Sequence, residues 1–235
     1  YEQIGFAVSN DESRPILTGF MWQRNKGTAV ATDGYRLSLS TNKAVWGMEK
    51  DGLETLIIPG KAMLQLLQTF KEFGCEKFKF GYSDKSQELM FVGEDVWGVV
   101  RTLGGEFPKY EGILPGESLI EIHVNREQML TAVKSVAIFA RDSANIIKFS
   151  IDNDQVKFSA NTAQVGENVV EVEAEITRSG TGTIAFNSKY LIDFLSHSES
   201  EKVGFGMTDS LKPGLFYEVG TDDYKHVIMP VRVKV

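Results

Sequence analysis

Val30-Ala31-Thr32-Asp33-Gly34-Tyr35-Arg36-Leu37-Ser38 is the stretch around which the rest of the chain is placed. Val30 enters as a strand residue, Asp33-Gly34 supplies a turn that tolerates φ > 0, and Arg36-Leu37 leaves in extended form. Such a turn gathers a hydroxyl, a carboxylate, an aromatic ring and a guanidinium within a few residues. Alone it reads as a β-hairpin and nothing more; its surroundings carry the rest of the argument.

With 235 residues, 42% of them apolar, the chain has material for one large or two ordinary globular cores. No run of eighteen apolar residues is present, and Tyr1-Glu2-Gln3-Ile4 has the character of neither a signal nor a transit peptide, so no membrane association is expected. The chain starts without Met inside an amphipathic segment, which suggests a piece of a longer protein. Cys75, the single cysteine, lies between Phe73 and Phe78 and reads as core in a reducing compartment rather than as a nucleophile. The formal charge of −7 argues at first sight against nucleic acid.

Read in order, Tyr1 to Asn10 is the end of a helix, broken at Asp11-Glu12-Ser13-Arg14-Pro15 before a strand from Ile16 to Arg24. A hairpin through Asn25-Lys26-Gly27 leads to the opening stretch. Ile57-Ile58-Pro59-Gly60 ends a strand and starts a helix whose apolar face is Met63, Leu64, Leu66, Leu67 and Phe70, stopped at Gly74. Strands are expected from Lys77 to Tyr82, Glu88 to Gly93 and Val96 to Leu103. The second half repeats this order. Asn125 caps a helix carrying Met129, Leu130, Val133, Val136, Ala137 and Ala140, and Asp142-Ser143-Ala144-Asn145 breaks it. Strands Ile146 to Asp152 and Gln155 to Ala160 come next, then a helix capped by Phe186-Asn187-Ser188-Lys189, and strands Lys202 to Thr208, Gly214 to Val219 and His226 to Val233. Ser9 to Leu17 falls against Ala140 to Ile147, Ile58-Pro59-Gly60-Lys61 against Phe186-Asn187-Ser188-Lys189, and Val96 to Arg101 against Lys225 to Met229. Each half is therefore an α+β unit of two helices on seven or eight antiparallel strands. The boundary is expected at Pro115-Gly116-Glu117-Ser118, giving domains 1–115 and 116–235 with continuing sheets.

The four helical stretches hold six basic against four acidic side chains, so the acidic excess belongs to strands and loops. Helices of this kind suit a sequence-independent electrostatic contact with a phosphate backbone, though they read equally well as solvated faces. Chemistry is absent from the pattern. His123, His197 and His226 are scattered, no nucleophile elbow or phosphate-binding loop is present, and Asp33 has no partner carboxylate at a defined spacing. No cofactor or metal is expected, and a nuclease would require long-range assembly of carboxylates. His226-Val227-Ile228-Met229-Pro230-Val231-Arg232-Val233 is a Pro-interrupted apolar strand, suited either to completing the sheet or to lining a groove for a short peptide.

Ala31 to Leu37, Gly105-Glu106-Phe107-Pro108-Lys109-Tyr110 with Ile113-Leu114-Pro115, Phe186 to Leu191, Thr208-Asp209-Ser210 and Val227 to Arg232 resemble the bacterial DNA polymerase III β subunit, the sliding-clamp family. The resemblance covers what would be that family's middle and C-terminal domains, the first being absent. It implies a non-catalytic processivity factor of the cytoplasm, acting on the nucleoid: a head-to-tail homodimer whose ring of similar units encloses double-stranded DNA. Enclosure replaces affinity, which removes the objection from net charge. The implied partners are the replicative polymerase's catalytic subunit, the clamp loader, other polymerases and repair proteins, all docking short linear motifs. By position, the implied peptide pocket comprises Leu17, Thr32, Gly34, Tyr35, Arg36, Leu37, Pro108, Ile113, Val227, Met229, Pro230, Val231 and Arg232. Leu17, Leu37, Ile113, Val227 and Met229 would form its apolar floor, with Arg36 and Arg232 receiving polar groups at the rim. Tyr35 stands where the family often has His, Val231 where Met is common, and Lys234-Val235 extends past the usual terminal Leu. The implied DNA-facing residues are Arg14, Lys61, Arg126, Lys134 and Lys189, and the implied ring interface is Ile138 and Phe139 with Glu167, Glu171 and Glu173. A stand-alone peptide-binding adaptor of the same fold is the alternative.

Overall fold

The computed structural model describes residues 2–42, 55–152, 155–162 and 166–233. It divides into two units, Tyr1–Pro108 and Lys109–Val235. Tyr1, first residue of the expected helix end, and the terminal Lys234-Val235 lie outside the described residues, and of the stretch to Asn10 only Glu2–Gly5 is α-helix.

In the first unit, α1 (Glu2–Gly5) is followed by a 3₁₀ turn at Pro15–Thr18 and by β1 (Gly19–Gln23). The strand expected from Ile16 thus begins three residues later. Pro15 fixes φ and lacks an N–H, which favours a tight turn at this position. Strands β2 (Thr28–Thr32), β3 (Arg36–Thr41) and β4 (Thr55–Pro59) make an antiparallel sheet of order β3-β2-β1-β4. Helix α2 (Gly60–Glu72) comes next, and Gly74 at φ +66° lets the Cys75 N–H reach the Phe70 carbonyl at 2.9 Å, which closes the helix end. A second sheet holds β5 (Lys79–Ser83), β6 (Glu88–Val92) and β7 (Trp97–Arg101). Phe20, Trp22, Ile58, Met63, Phe70, Leu89 and Phe91 pack with Ile4 in one core.

The second unit runs β8 (Ile120–Asn125), α3 (Arg126–Ala140), β9 (Ile146–Asp152), β10 (Gln155–Thr162), β11 (Gly166–Arg178), β12 (Gly182–Asn187), α4 (Ser188–His197), β13 (Lys202–Met207), β14 (Gly214–Glu218) and β15 (Tyr224–Ile228). Its strands pair antiparallel in the order β12-β9-β10-β11-β8-β13-β14-β15. Long β11 joins the two flanks: Gly166 to Glu173 pair with β10, and the chain from Ala174 pairs with β8. Asn125 Oδ1 accepts from the Glu127 and Gln128 amides, both at 3.1 Å, and Asn187 Oδ1 from the Lys189 amide at 3.0 Å, so both helices start on an Asn cap. Ala144 and Asn145 at φ +56° and +60° end α3, and the Asn145 carbonyl accepts from Ser188 N at 2.8 Å, fixing where α4 begins. The apolar faces of α3 and α4 bury Met129, Val133, Val136, Leu191, Phe194 and Leu195 against Phe149, Phe158, Phe186, Phe205 and Phe216. At roughly 25 cal/mol per Å² of apolar surface removed from water, such a cluster dominates the unit's stability.

Among the described residues, each unit holds two helices with antiparallel sheet, as the sliding-clamp architecture implied by the resemblance requires. The last strand also departs from expectation: it ends at Ile228, not Val233. Pro230 cannot donate to a ladder, and the Val231 N–H donates to the Ala185 carbonyl at 2.8 Å instead of extending β15.

Candidate functional site

The hairpin between β2 and β3 is closed by its own side chains. Thr32 and Leu37 are the last paired residues. Thr32 Oγ1 accepts from Gly34 N at 3.0 Å and donates to the Arg36 carbonyl at 2.6 Å. Asp33 Oδ1 accepts from Tyr35 N (2.8 Å) and Arg36 N (3.1 Å), while Oδ2 accepts from Arg36 Nε (3.1 Å). Gly34 takes φ +94°, and a Cβ there would stand 3.2 Å from Arg14 Nη1, which places Arg14 beside the turn. The result presents Tyr35 outward, 60% exposed, on a rigid loop.

Arg36, expected at a pocket rim, is held by contacts within its own unit. Its side chain is only 9% exposed, it donates through Nη2 to the Phe6 carbonyl at 2.6 Å, and its guanidinium lies 5.3 Å from the Phe6 ring centroid. These contacts, with Asp33, tie the hairpin to the segment after α1. Leu17 and Leu37 are buried, Leu17 at the end of the 3₁₀ turn where its carbonyl accepts from Ser9 N at 2.7 Å. Pro108 is exposed.

In the second unit, Ile113 closes a 3₁₀ turn (Glu111–Ile113) and is partly exposed. Val227 is buried in β15 opposite Leu215, whereas Met229, just past the strand end, is partly exposed. Pro230 and Val231 are half-buried and Arg232 is exposed. The accessible apolar groups of the set are therefore Tyr35 in the first unit and Ile113 and Met229 in the second, while Leu17, Leu37 and Val227 are buried.

Lys61, Lys134 and Lys189 are exposed on α2, α3 and α4 respectively, and Arg14 is exposed with Asp11 at 3.0 Å. Arg126, in contrast, donates to the carbonyls of Ser200 and Leu195, each at 3.1 Å, so it fastens the start of α3 to the segment just past α4. Sequence spacing could not show this, because those acceptors lie about seventy residues away.

Ile138 is 60% exposed on α3, and Phe139 packs partly against the core. Between α3 and the first half of β11 runs a groove of about 680 Å³ lined by Gln128, Thr131, Ser135, Val170 and Glu171 to Glu173. The described residues offer no strand to that edge of β11 between Gly166 and Glu173. Glu171 bridges to Lys157 at 2.8 Å, which holds the Lys157 ammonium above its ordinary pKa, and Glu173 and Glu167 are exposed. On the other face of the unit, Tyr217 donates to Glu121 and lies 3.1 Å from His123 Nε2. Burial and the Glu121 carboxylate raise the Tyr217 pKa. A Cβ at Gly204 would fall 2.1 Å from the Tyr217 ring, so this position requires glycine. The sequence reading missed this cluster, because its members are spread over nearly one hundred residues. Among the described residues, no group of three or more His, Cys, Asp or Glu is arranged to hold a metal ion.

Residues 1–109 match the family model for the DNA polymerase III beta subunit, central domain, and residues 111–232 the model for its C-terminal domain. A curated relative, the beta sliding clamp of Chlamydia muridarum, is 32% identical over 238 residues, covering 99% of this chain and 62% of its own length. Among solved structures, the DNA polymerase sliding clamp from Pseudomonas aeruginosa superposes with a TM-score of 0.89 at 27% identity, covering 99% of this chain and 62% of that one. The sliding clamp of the same organism bound to griselimycin has a TM-score of 0.88 at 28% identity, with coverage of 99% and 62%. The chain thus spans somewhat under two thirds of the length of the relatives it matches.

Proposed function

The chain belongs to the DNA polymerase III β-subunit family, and from that premise we propose that it works as the two-domain part of a sliding clamp. In this reading the protein closes a head-to-tail ring around duplex DNA and holds a polymerase on its template in the bacterial cytoplasm, on the nucleoid, with no catalysis of its own. The observation that carries it is the pair of family-model matches, in order, one for each unit. No helix among the described residues is long and apolar enough to cross a membrane.

Physical features support each part. Duplex DNA enclosed by a ring needs only weak, sliding contacts, and the exposed Lys61, Lys134 and Lys189 on successive helices, with Arg14, supply point charges for phosphates without base readout. Ring closure is assigned to Ile138, Phe139 and the open edge of β11 with its acidic Glu167, Glu171 and Glu173; an unpaired strand edge beside an apolar groove accepts a further strand. Partner motifs are assigned, as the resemblance implies, to two groups each taken in its own unit: in the first, Tyr35 and Pro108 as contact surface, Thr32, Gly34 and Arg36 as the frame that aims Tyr35, and buried Leu17 and Leu37; in the second, Ile113 and Met229 as contact surface over buried Val227. Pro230, Val231 and Arg232 belong to the second unit's group, with Arg232 taking carboxylate or polar groups of the ligand.

A polarisation titration with a fluorescent Gln-Leu-x-Leu-Phe peptide tests the partner site. The unmodified chain should bind saturably. Met229→Ala combined with Tyr35→Ala should lose binding at least tenfold, since both side chains are accessible and their removal leaves the frame intact. Absence of binding by the unmodified chain, or equal binding by the variant, would reject the assignment.

A further inference from the structure

The two units repeat one detail that no reading of the partner site uses. After its last strand, the chain of each unit returns to an earlier strand of that unit and caps it with one hydrogen bond. In the first unit Leu103 N–H donates to the Ile57 carbonyl at 2.8 Å, and in the second Val231 N–H donates to the Ala185 carbonyl at 2.8 Å. Ile57 is paired with Met21, as Ala185 is with Lys148, so the two straps sit at the same place in the repeat. Past this bond the units diverge. In the second unit Val233 lines a recess of about 210 Å³ beside Ser143. In the first unit Gly104 and Gly105 occupy the equivalent positions, and Gly105 lies so close to Ile16 that a Cβ would come within 2.6 Å of Ile16 Cδ1. Without side chains on the strap, a cavity of about 420 Å³ remains open, a size typical of a ligand site.

Its walls are chemically lopsided. Met21, Ile57, Leu103 and Phe107 supply apolar surface, Thr55, Gln87 and Thr102 polar surface, and the only charged side chain among the lining residues is Glu106. Glu106 is exposed and has no ion-pair partner among the described residues. Tyr82 Oη, in the same wall, is buried with no hydrogen-bond partner among them. A buried hydroxyl without a partner and a carboxylate without an ion pair, lining one recess that also offers apolar surface, are complementary to an aliphatic stem that ends in a hydrogen-bond-donating cation.

We propose that this cavity of the first unit is a docking site for an arginine side chain of a partner polypeptide, its methylenes against Met21, Ile57 and Leu103, its guanidinium shared between Glu106 and Tyr82 Oη. Guanidinium is preferred to ammonium because it is more weakly hydrated and its N–H groups diverge in one plane, so two separate acceptors can be met at once. The proposal stands on the first unit alone and is independent of the clamp reading.

The test is a ¹H–¹⁵N NMR titration of the chain with the blocked peptide Gly-Arg-Gly. Saturable shifts of the Leu103, Gly104 and Gly105 amides, with a dissociation constant of about 1 mM, are expected. The peptide with norleucine in place of arginine should bind about tenfold more weakly and the lysine peptide about threefold more weakly. Glu106→Gln should weaken the arginine peptide about fivefold, and Tyr82→Phe about threefold, with neither lowering the unfolding midpoint, since Glu106 has no partner and Tyr82 loses only an unpartnered hydroxyl. No saturable shift up to about 20 mM, equal binding of the norleucine peptide, tighter binding of the lysine peptide, or an unchanged affinity in Glu106→Gln would each overturn it.

Discussion

Replacing Asp33 by Ala should unfasten the hairpin that displays Tyr35. The carboxylate accepts two main-chain amides through Oδ1, at 2.8 and 3.1 Å, and Arg36 Nε through Oδ2 at 3.1 Å. Each amide bond to a charged acceptor near solvent contributes about 1 kcal/mol, and the ion pair, whose side chains are 9% and 15% exposed, about 1 kcal/mol more. The variant should therefore cost the first unit about 3 kcal/mol. Asp33→Asn keeps an oxygen for the two amides and loses the charge pairing, so it should cost about 1 kcal/mol. All three tryptophans, Trp22, Trp46 and Trp97, belong to the first unit, so their fluorescence in urea reports its unfolding alone. With a urea dependence of about 1.5 kcal/mol per M, the Ala variant should unfold about 2 M earlier. A shift below about 0.3 M, or equal shifts for Ala and Asn, would refute the account of the turn.

Tyr217 has its pKa raised in the folded protein by burial and by Glu121. The folded state therefore keeps a proton that the unfolded chain gives up near pH 10, so stability from this group is complete below that pH and declines as pH rises above it. Urea midpoints of the second unit measured between pH 8 and 11 should fall at the alkaline end, and Tyr217→Phe should flatten that fall. Ala144 at φ +56° is strained in a way that Asn145 at φ +60° is not, because Asn tolerates the left-handed region. Ala144→Gly should stabilise the second unit by about 0.5 kcal/mol after the entropic cost of glycine, while Asn145→Gly should not stabilise it, as thermal unfolding would show. Changing Lys61, Lys134 and Lys189 to Ala together should lower the dependence of DNA affinity on salt by nearly one log unit of slope per lysine that contacts a phosphate; an unchanged slope would remove them from the DNA-facing set.

The hairpin, the two Asn-capped helices and the tandem repeat were legible because each is written locally: an Asp-Gly turn, a cap residue before an apolar 3.6 period, and the same order met twice. Other features were not. The strand Gly166–Arg178 went unassigned as a whole, since its alternating Glu residues drew attention to charge while Val170, Val172, Ala174 and Ile176 carried the strand period. The end of β15 was placed too late, because an apolar run continues through Met229-Pro230-Val231 although proline removes the donor needed for the ladder. Arg36 was placed at a ligand rim by the resemblance and Arg126 among DNA contacts by helix position and charge; what the sequence does not show is what else they hold. Their guanidinium groups find carbonyls on Phe6, Leu195 and Ser200, partners that only the folded chain brings near. An arginine's long reach makes its role the least local property of a sequence.

Enclosure of DNA is the central claim, and topology tests it without reference to affinity. The product of the gene that encodes this chain would be assembled on a nicked circular plasmid by its clamp loader and passed through a gel-filtration column in high salt. The account predicts that the protein travels with the circle and is released when the plasmid is cut once. Protein that stays on the linear DNA, or that never remains with the circle, would contradict it.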